Sequence, residues 1–338
     1  MVDATAFCPS YLSCNDFATG VFLYLSRKPI NYKNKEYFRK VVIMKEVLKA
    51  ILKVLKFPVW GIIAFLLLIV GQEIVGYKLM NLIPEHLMEN DAVSTASMYL
   101  AFIGIWIVAL AWMGIFKWSR PIIKAIGTKA SGNNLKNLGI GLLIGGGLNL
   151  ICALVAMLNK DIAISYDSFR PISFIAIFIC VFIQSAAEEL ICRGYLYQKL
   201  RKTYNNPWVA IIGNAVFFGL IHLANPGISA LAIVNIIVAG IFFSLMVYFM
   251  DSIWCAMAAH AAWNFMQNIV LGLPNSGNVF PYSVFSLDAA NARDSWAYNV
   301  GFGVEGTLFA DALLIVGCIV LIIWGRKHGK KDLNVWAK

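Results

Sequence analysis

The stretch Ser185-Ala-Ala-Glu-Glu-Leu-Ile-Cys-Arg193 sets two carboxylates and a guanidinium inside a run otherwise apolar enough to lie in lipid. An ionisable side chain at membrane depth costs roughly 2.5 to 3.5 kcal/mol on insertion scales, so charge there marks a functional site by default. On a helix Glu189 and Arg193 fall four apart on one face, acid before base, the favourable order for an ion pair. Glu188 stands ~100° round from Glu189 and requires a different partner, which His222, His260 or Asn264 further along the chain can supply.

Outward from that stretch, the chain reads as a membrane protein. Its 338 residues are 60% hydrophobic and 14% charged, with a mean hydropathy of +0.72, the composition of a polytopic membrane protein. At ~20 residues per crossing, apolar runs long enough to span occur at about 54–76, 97–117, 138–158, 172–194, 207–224, 229–250, 253–272 and 307–325. The expected fold is therefore an all-α bundle of eight transmembrane helices, one membrane domain over 54–325. The segment between spans one and two carries Glu73, Glu85, Glu89 and Asp91 against Lys78, and 273–306 carries Asp288, Asp294 and Glu305 against Arg293. Residues 117–136 hold Lys117, Arg120, Lys124, Lys129 and Lys136 with no acid, and Lys199, Arg201 and Lys202 follow span four. The positive-inside bias then puts both termini in the cytoplasm. The same bias accounts for the net charge of +10, which sits beside hydrophobic runs and so points to an anionic cytoplasmic leaflet rather than to nucleic acid.

Residues 1–37 lack periodicity and read as a dispensable tail, with Met44 a second candidate start. No secretory signal precedes the first span, since Arg27 and Lys28 follow the apolar run 17–26 instead of leading it. Over 38–56, Lys45, Lys49, Lys53 and Lys56 line one face and Val47, Leu48, Ile51, Leu52 and Leu55 lie elsewhere, as in an interfacial helix. Residues 326–338 form a basic cytoplasmic tail. Cys152, Cys180, Cys192, Cys255 and Cys318 fall singly in apolar runs and read as small buried residues, while Cys8 and Cys14 give no zinc spacing. Gly141-Leu-Leu-Ile-Gly145 and the run to Gly147 suit close helix approach. They lack the Lys-Ser/Thr of a phosphate loop.

Two polar stripes lie at membrane depth: Asn214, Phe218 and His222 recur every four residues, as do His260, Asn264 and Asn268. Lipid offers no hydrogen-bond partners, so both stripes must face the bundle interior, and the economical arrangement is that they face Glu188 and Glu189. Amide hydrolysis needs a base beside the attacking water and fixed donors for the developing oxyanion, and these groups can fill both roles. Interhelical hydrogen bonding alone, worth on the order of 0.6 kcal/mol per bond, would not call for a second, unpaired glutamate. A span ending at 194 puts Glu188 nearer the cytoplasmic end, whereas His222 lies near the outer end of a span that starts at Pro207. A helix continuing through Gln198 brings Glu188 towards the middle.

Glu188-Glu189-xxx-Arg193, Phe218-xxx-His222 and His260-xxx-Asn264, in order on successive hydrophobic segments within about 172–270, resemble the CPBP family of intramembrane endopeptidases. That family comprises the type II CAAX prenyl proteases and the bacteriocin-processing or self-immunity proteins of the Abi group. The resemblance implies that Glu188 and His222 activate a water, that His260 and Asn264 stabilise the oxyanion, that Glu189 and Arg193 brace the site, and that Phe218 packs beside His222. There is no HExxH, so a zinc site would have to use Glu188, His222 and His260. The expectation is a glutamate-activated water without obligatory metal, with Zn2+ on those three residues as the alternative. The implied substrate is a hydrophobic or lipid-anchored peptide, in eukaryotic relatives a prenylated C-a-a-X tail, and the expected location is a bacterial cell membrane. The competing functions are a non-catalytic immunity or scaffold protein and, from the intramembrane charges, a proton-coupled transporter. The absence of an internal repeat disfavours the latter.

Overall fold

A computed structural model describes residues 33–328 together with Asp332, Val335 and Trp336; the tail 1–32, with Cys8 and Cys14, and Lys330 and Lys331 lie outside the described residues. Among the described residues, apart from one two-stranded ladder, the regular elements are helical. Helix α1 spans Lys33–Ile69 and runs through a π-helical segment, Val70–Gly76, into Tyr77–Met80. Then come α2 (Asp91–Leu100), α3 (Ile103–Ile115), α4 (Leu135–Leu158) and α5 (Pro171–Glu189), the last continuing through a π segment, Leu190–Leu196, into α6 (Tyr197–Thr203). Helices α7 (Pro207–Ile221), α8 (Ala230–Met250), α9 (Ile253–Asn264, extended by the π segment Phe265–Val270) and α10 (Leu308–His328) complete the chain.

Among the described residues, six stretches are long and apolar enough to cross a membrane: Val42–Met80, Asp91–Ile115, Leu135–Leu158, Pro171–Thr203, Ala230–Met250 and Leu308–His328. The other two expected crossings are α7, which is apolar but shorter, and α9 with its π extension. Their shortness has a local cause. His222 ends α7, and the glycine at 272 has φ +64°, so each chain turns soon after its polar residues.

The described residues up to Leu55 form one compact unit and those from Lys56 another. In the first, Val47, Leu48, Ile51, Leu52 and Leu55 are all exposed.

Within the second unit, helix starts follow from capping. Asn134, Asn206, Ser229 and Ser252 each accept a backbone N–H of the first turn, satisfying donors that lipid cannot, and Pro171 and Pro207 occupy first-turn positions where a missing N–H costs nothing. The glycine stripe of α4 packs on α9 as expected. A Cβ at Gly141 would stand 2.3 Å from the Cys255 carbonyl oxygen and one at Gly145 1.9 Å from that of Ala259, while Gly147 faces open space. Glycines at 71, 76 and 104 bring the first π segment equally close to α3, a contact that carried no regular spacing in the sequence.

The two ends of the bundle differ in chemistry. At one end strand β1 (Ile164–Tyr166) pairs antiparallel with β2 (Phe285–Leu287), Ile164 opposite Leu287, joining the loop before α5 to the long loop after the third π segment. At the other, Asp251 accepts from the backbone and hydroxyl of Ser131, and Lys199 donates to the Trp118 carbonyl at 2.8 Å with its ammonium 4.1 Å from the Trp118 ring centroid. The π segment lets α5 and α6 act as one 33-residue span. Glu188 therefore lies near its middle, level with the residues it was expected to meet.

Candidate active site

Residues 184 to 200 form an unbroken buried run, so the charges of the opening stretch are inside the bundle and not turned to lipid. Glu189 and Arg193 have wholly buried side chains, and Arg193 Nη1 donates to Glu189 Oε1 at 2.7 Å, the i to i+4 pair the spacing predicts. Arg193 Nη2 donates to the Gly240 carbonyl at 3.0 Å, and the guanidinium lies 4.5 Å from the Phe218 ring centroid and 5.3 Å from that of Phe243. A buried pair is held by such added partners, because Coulomb attraction alone does not offset the desolvation of two charges.

Glu188 points the other way, into a cavity of about 580 Å³ that His222, His260, Asn264 and Phe218 also line. Gln184, one turn earlier on α5, donates from Nε2 to Glu188 Oε1 at 2.6 Å and fixes the carboxylate plane. The second oxygen, Oε2, is buried without a hydrogen-bond partner from the protein, and lies 3.9 Å from His222 Nε2 and 3.9 Å from His260 Nε2. All three motifs therefore converge on one oxygen atom.

Each imidazole is oriented from behind. His222 Nδ1 lies 2.7 Å from the Phe218 carbonyl. A carbonyl only accepts, so Nδ1 carries the proton and, in the neutral ring, Nε2 faces Glu188 with its lone pair. His260 Nδ1 lies 3.1 Å from Glu189 Oε1, which assigns its proton in the same way, and its ring stacks on Phe243 at 5.2 Å. His260 can thus donate from Nε2 only when the ring carries both protons.

Asn264 is near but occupied. Its Nδ2 donates to Gln184 Oε1 at 3.2 Å and to Ser185 Oγ at 3.1 Å, and its Oδ1 accepts from Asn275 Nδ2 at 3.2 Å. Donation to a substrate oxygen would have to replace one of the first two bonds. Asn214 and Asn268, the outer members of the two polar stripes, serve the scaffold: Asn214 bonds Ser244 and its own helix, and Asn268 bonds Tyr99 and the loop carbonyls of Leu273 and Asn278.

Four site residues were not read from the sequence. Gln184 carried a usable signal, sitting four before Glu188 on the same helix. Phe243 is one of many apolar residues of α8. Asn275 and Glu305 come from a loop, where no period marks them. Glu305 accepts from Trp263 Nε1 on Oε1 and from the Ser276 backbone N–H and hydroxyl on Oε2, each at 2.8 Å. Burial raises its pKa, an effect opposed by the Ser276 and Trp263 hydrogen bonds and by nearby His222.

For a metal, Glu188, His222 and His260 are the donors available. As placed, no group of three or more His, Cys, Asp or Glu side chains among the described residues closes to a metal-holding geometry.

Residues 170–266 match the family model of Rce1-like, type II CAAX prenyl endopeptidases. The uncharacterized protein YyaK of Bacillus subtilis (strain 168) is 27% identical over 228 residues, covering 64% of this chain and 75% of that protein. The chain is an integral membrane protein with several long apolar helices, and the family match encloses Glu188 through Asn264. The resemblance carried by three short motifs is therefore borne out over the segment that builds the site, and the family it points to is the Rce1-like type II CAAX prenyl endopeptidases.

Proposed function

We propose that this protein is an intramembrane endopeptidase that hydrolyses a peptide bond in a hydrophobic or membrane-tethered peptide with a water activated by Glu188 and His222. The observation that carries this reading is the unpartnered Glu188 Oε2 flanked by two imidazole Nε2 atoms at 3.9 Å. That separation suits a bridging water with hydrogen bonds of about 2.8 Å to each neighbour.

In the proposed step, Glu188 Oε2 or His222 Nε2 takes a proton as the water oxygen bonds to the scissile carbonyl carbon. The oxyanion that develops is stabilised by the doubly protonated His260 and by Asn264 once its amide turns from Gln184 or Ser185. Collapse expels the amine, which receives the proton held by the base. Glu189, fixed by Arg193, accepts from His260 Nδ1 and holds the ring in place throughout. No obligatory metal is required in this scheme.

Purified wild type, Glu188→Gln and His222→Ala, each assayed in detergent on a quenched membrane-peptide library with and without chelator, test the reading. Loss of about 10²- to 10⁴-fold in both variants, with wild-type cleavage unaffected by chelator, supports it. Loss on chelation restored by zinc moves Glu188, His222 and His260 into a metal site. A folded wild type that cleaves nothing, with variants equally inert, favours an immunity or scaffold role.

A further inference from the structure

The active-site cavity is not symmetric along the bundle. On one side it is walled by loop residues, among them Asn225, Asn275, Ser276, Asn278 and Glu305, of which Asn278 is exposed. These belong to the end that bears the β1–β2 ladder and the acidic side chains Glu85, Glu89, Asp167, Asp288 and Asp294. On the other side the path is shut. Glu189, Arg193, Tyr195, Tyr197 and Leu200 follow one another at 0% exposure towards the end that carries Lys117, Lys124, Lys129, Arg201 and Arg326. By the positive-inside bias the closed, basic end is cytoplasmic and the open end faces out.

Apart from His222 and His260 beside Glu188, the charged side chains of the lining are acids. Glu73, Glu188 and Glu305 contribute carboxylates, and among the described residues no Lys or Arg lines the cavity. The three donors to Glu305 are a neutral indole, a backbone amide and a hydroxyl, so they aim its carboxylate without neutralising it. Among the described residues no cation forms an ion pair with it, and of about four acceptor positions on a carboxylate one is left. At Glu305 a substrate carboxylate would meet a second acid, whereas a basic side chain would find a desolvated counter-ion.

We propose that the site is entered from the acid-rich end, on the outer face of the membrane, by a peptide segment whose basic side chain is received by Glu305. The proposal rests on the endopeptidase reading for what enters and on geometry alone for where it enters.

The test uses a full-length background with Cys8→Ser and Cys14→Ser, since Cys152, Cys180, Cys192, Cys255 and Cys318 are buried. In intact cells a membrane-impermeant maleimide labels Asn278→Cys and not Lys124→Cys, and in everted vesicles the pattern reverses. Labelling of Asn278→Cys only in everted vesicles overturns outer entry. With the purified Asn278→Cys protein in lipid vesicles, an apolar peptide bearing one lysine slows labelling about tenfold more than its glutamate counterpart, the scale of one charge-assisted hydrogen bond. Glu305→Gln added to that protein removes the difference. Equal protection by the two peptides, or a difference that survives Glu305→Gln, overturns the basic subsite. Neither readout needs turnover, so a protein with no peptidase activity leaves both tests standing.

Discussion

His260 Nδ1 lies 3.1 Å from Glu189 Oε1, the same oxygen that accepts Arg193 Nη1 at 2.7 Å. One atom thus joins the scaffold's ion pair to the ring that faces Glu188 Oε2. Glu189→Ala leaves the Arg193 guanidinium buried without a counter-ion, and the expected loss is about 3 to 5 kcal/mol, seen as a lower melting temperature in detergent or as no folded protein. Glu189→Gln keeps the shape and an acceptor, so it retains more stability than Glu189→Ala while lowering turnover, because the doubly protonated His260 loses its carboxylate partner. Equal stability of wild type and Glu189→Ala would contradict the buried pair.

Gln184→Ala removes the donor to Glu188 Oε1. A hydrogen bond to a charged group is worth roughly 1.5 to 3 kcal/mol, so kcat should fall by about ten- to a hundredfold. The measurement is single-turnover cleavage beside thermal stability. A drop in stability alone would assign Gln184 to packing.

Gly145→Ala drives a methyl to 1.9 Å from the Ala259 carbonyl oxygen, so α4 and α9 must part. Overpacking of this kind costs about 1 to 3 kcal/mol. Because Ala259 adjoins His260, activity should fall as well. Gly147→Ala has nothing within 4 Å to strike and serves as the neutral control. Equal melting temperatures for the two variants would refute the close approach.

Glu305 sets a pH dependence. Burial raises its pKa above the ordinary 4.5, so the folded chain holds this proton to higher pH than the unfolded chain does. Its stabilising contribution is then fully present below 4.5 and is lost as pH rises through the raised value. Glu305→Gln does not titrate, so the melting temperature of wild type minus that of Glu305→Gln should decline from acid towards neutral pH. A difference that climbs with pH would mean that the hydrogen bonds outweigh the burial.

Periodicity and charge made part of the fold and site legible in the sequence. Helical spacing pairs Glu189 with Arg193 and groups His260 with Asn264, and lipid's lack of hydrogen-bond partners is enough to turn those stripes inward. The glycines of α4 are readable for the same reason, a spacing of four. The two short crossings and the π segments are not, because a hydropathy window reports composition and cannot see where a helix widens by a residue. Nor are Asn275 and Glu305, whose positions depend on how one long loop folds back over the helix ends rather than on any local repeat. The engaged amide of Asn264 is a tertiary fact of the same sort: its residue type announces a donor, and only its neighbours decide what receives the bond.

The π segment Leu190–Leu196 divides the most buried span into a half that bears Glu188 and a half that bears Lys199. A π turn holds about one residue more than an α turn, so the two halves are out of helical phase by roughly 100° relative to an uninterrupted helix. Glu188 faces the cavity and Lys199 its aromatic anchor on Trp118 only with that offset in place. The number of residues between them is therefore as much a part of the site's specification as their identity, and the loss of any single residue from the segment, however inert its side chain, would turn one half away from its partners.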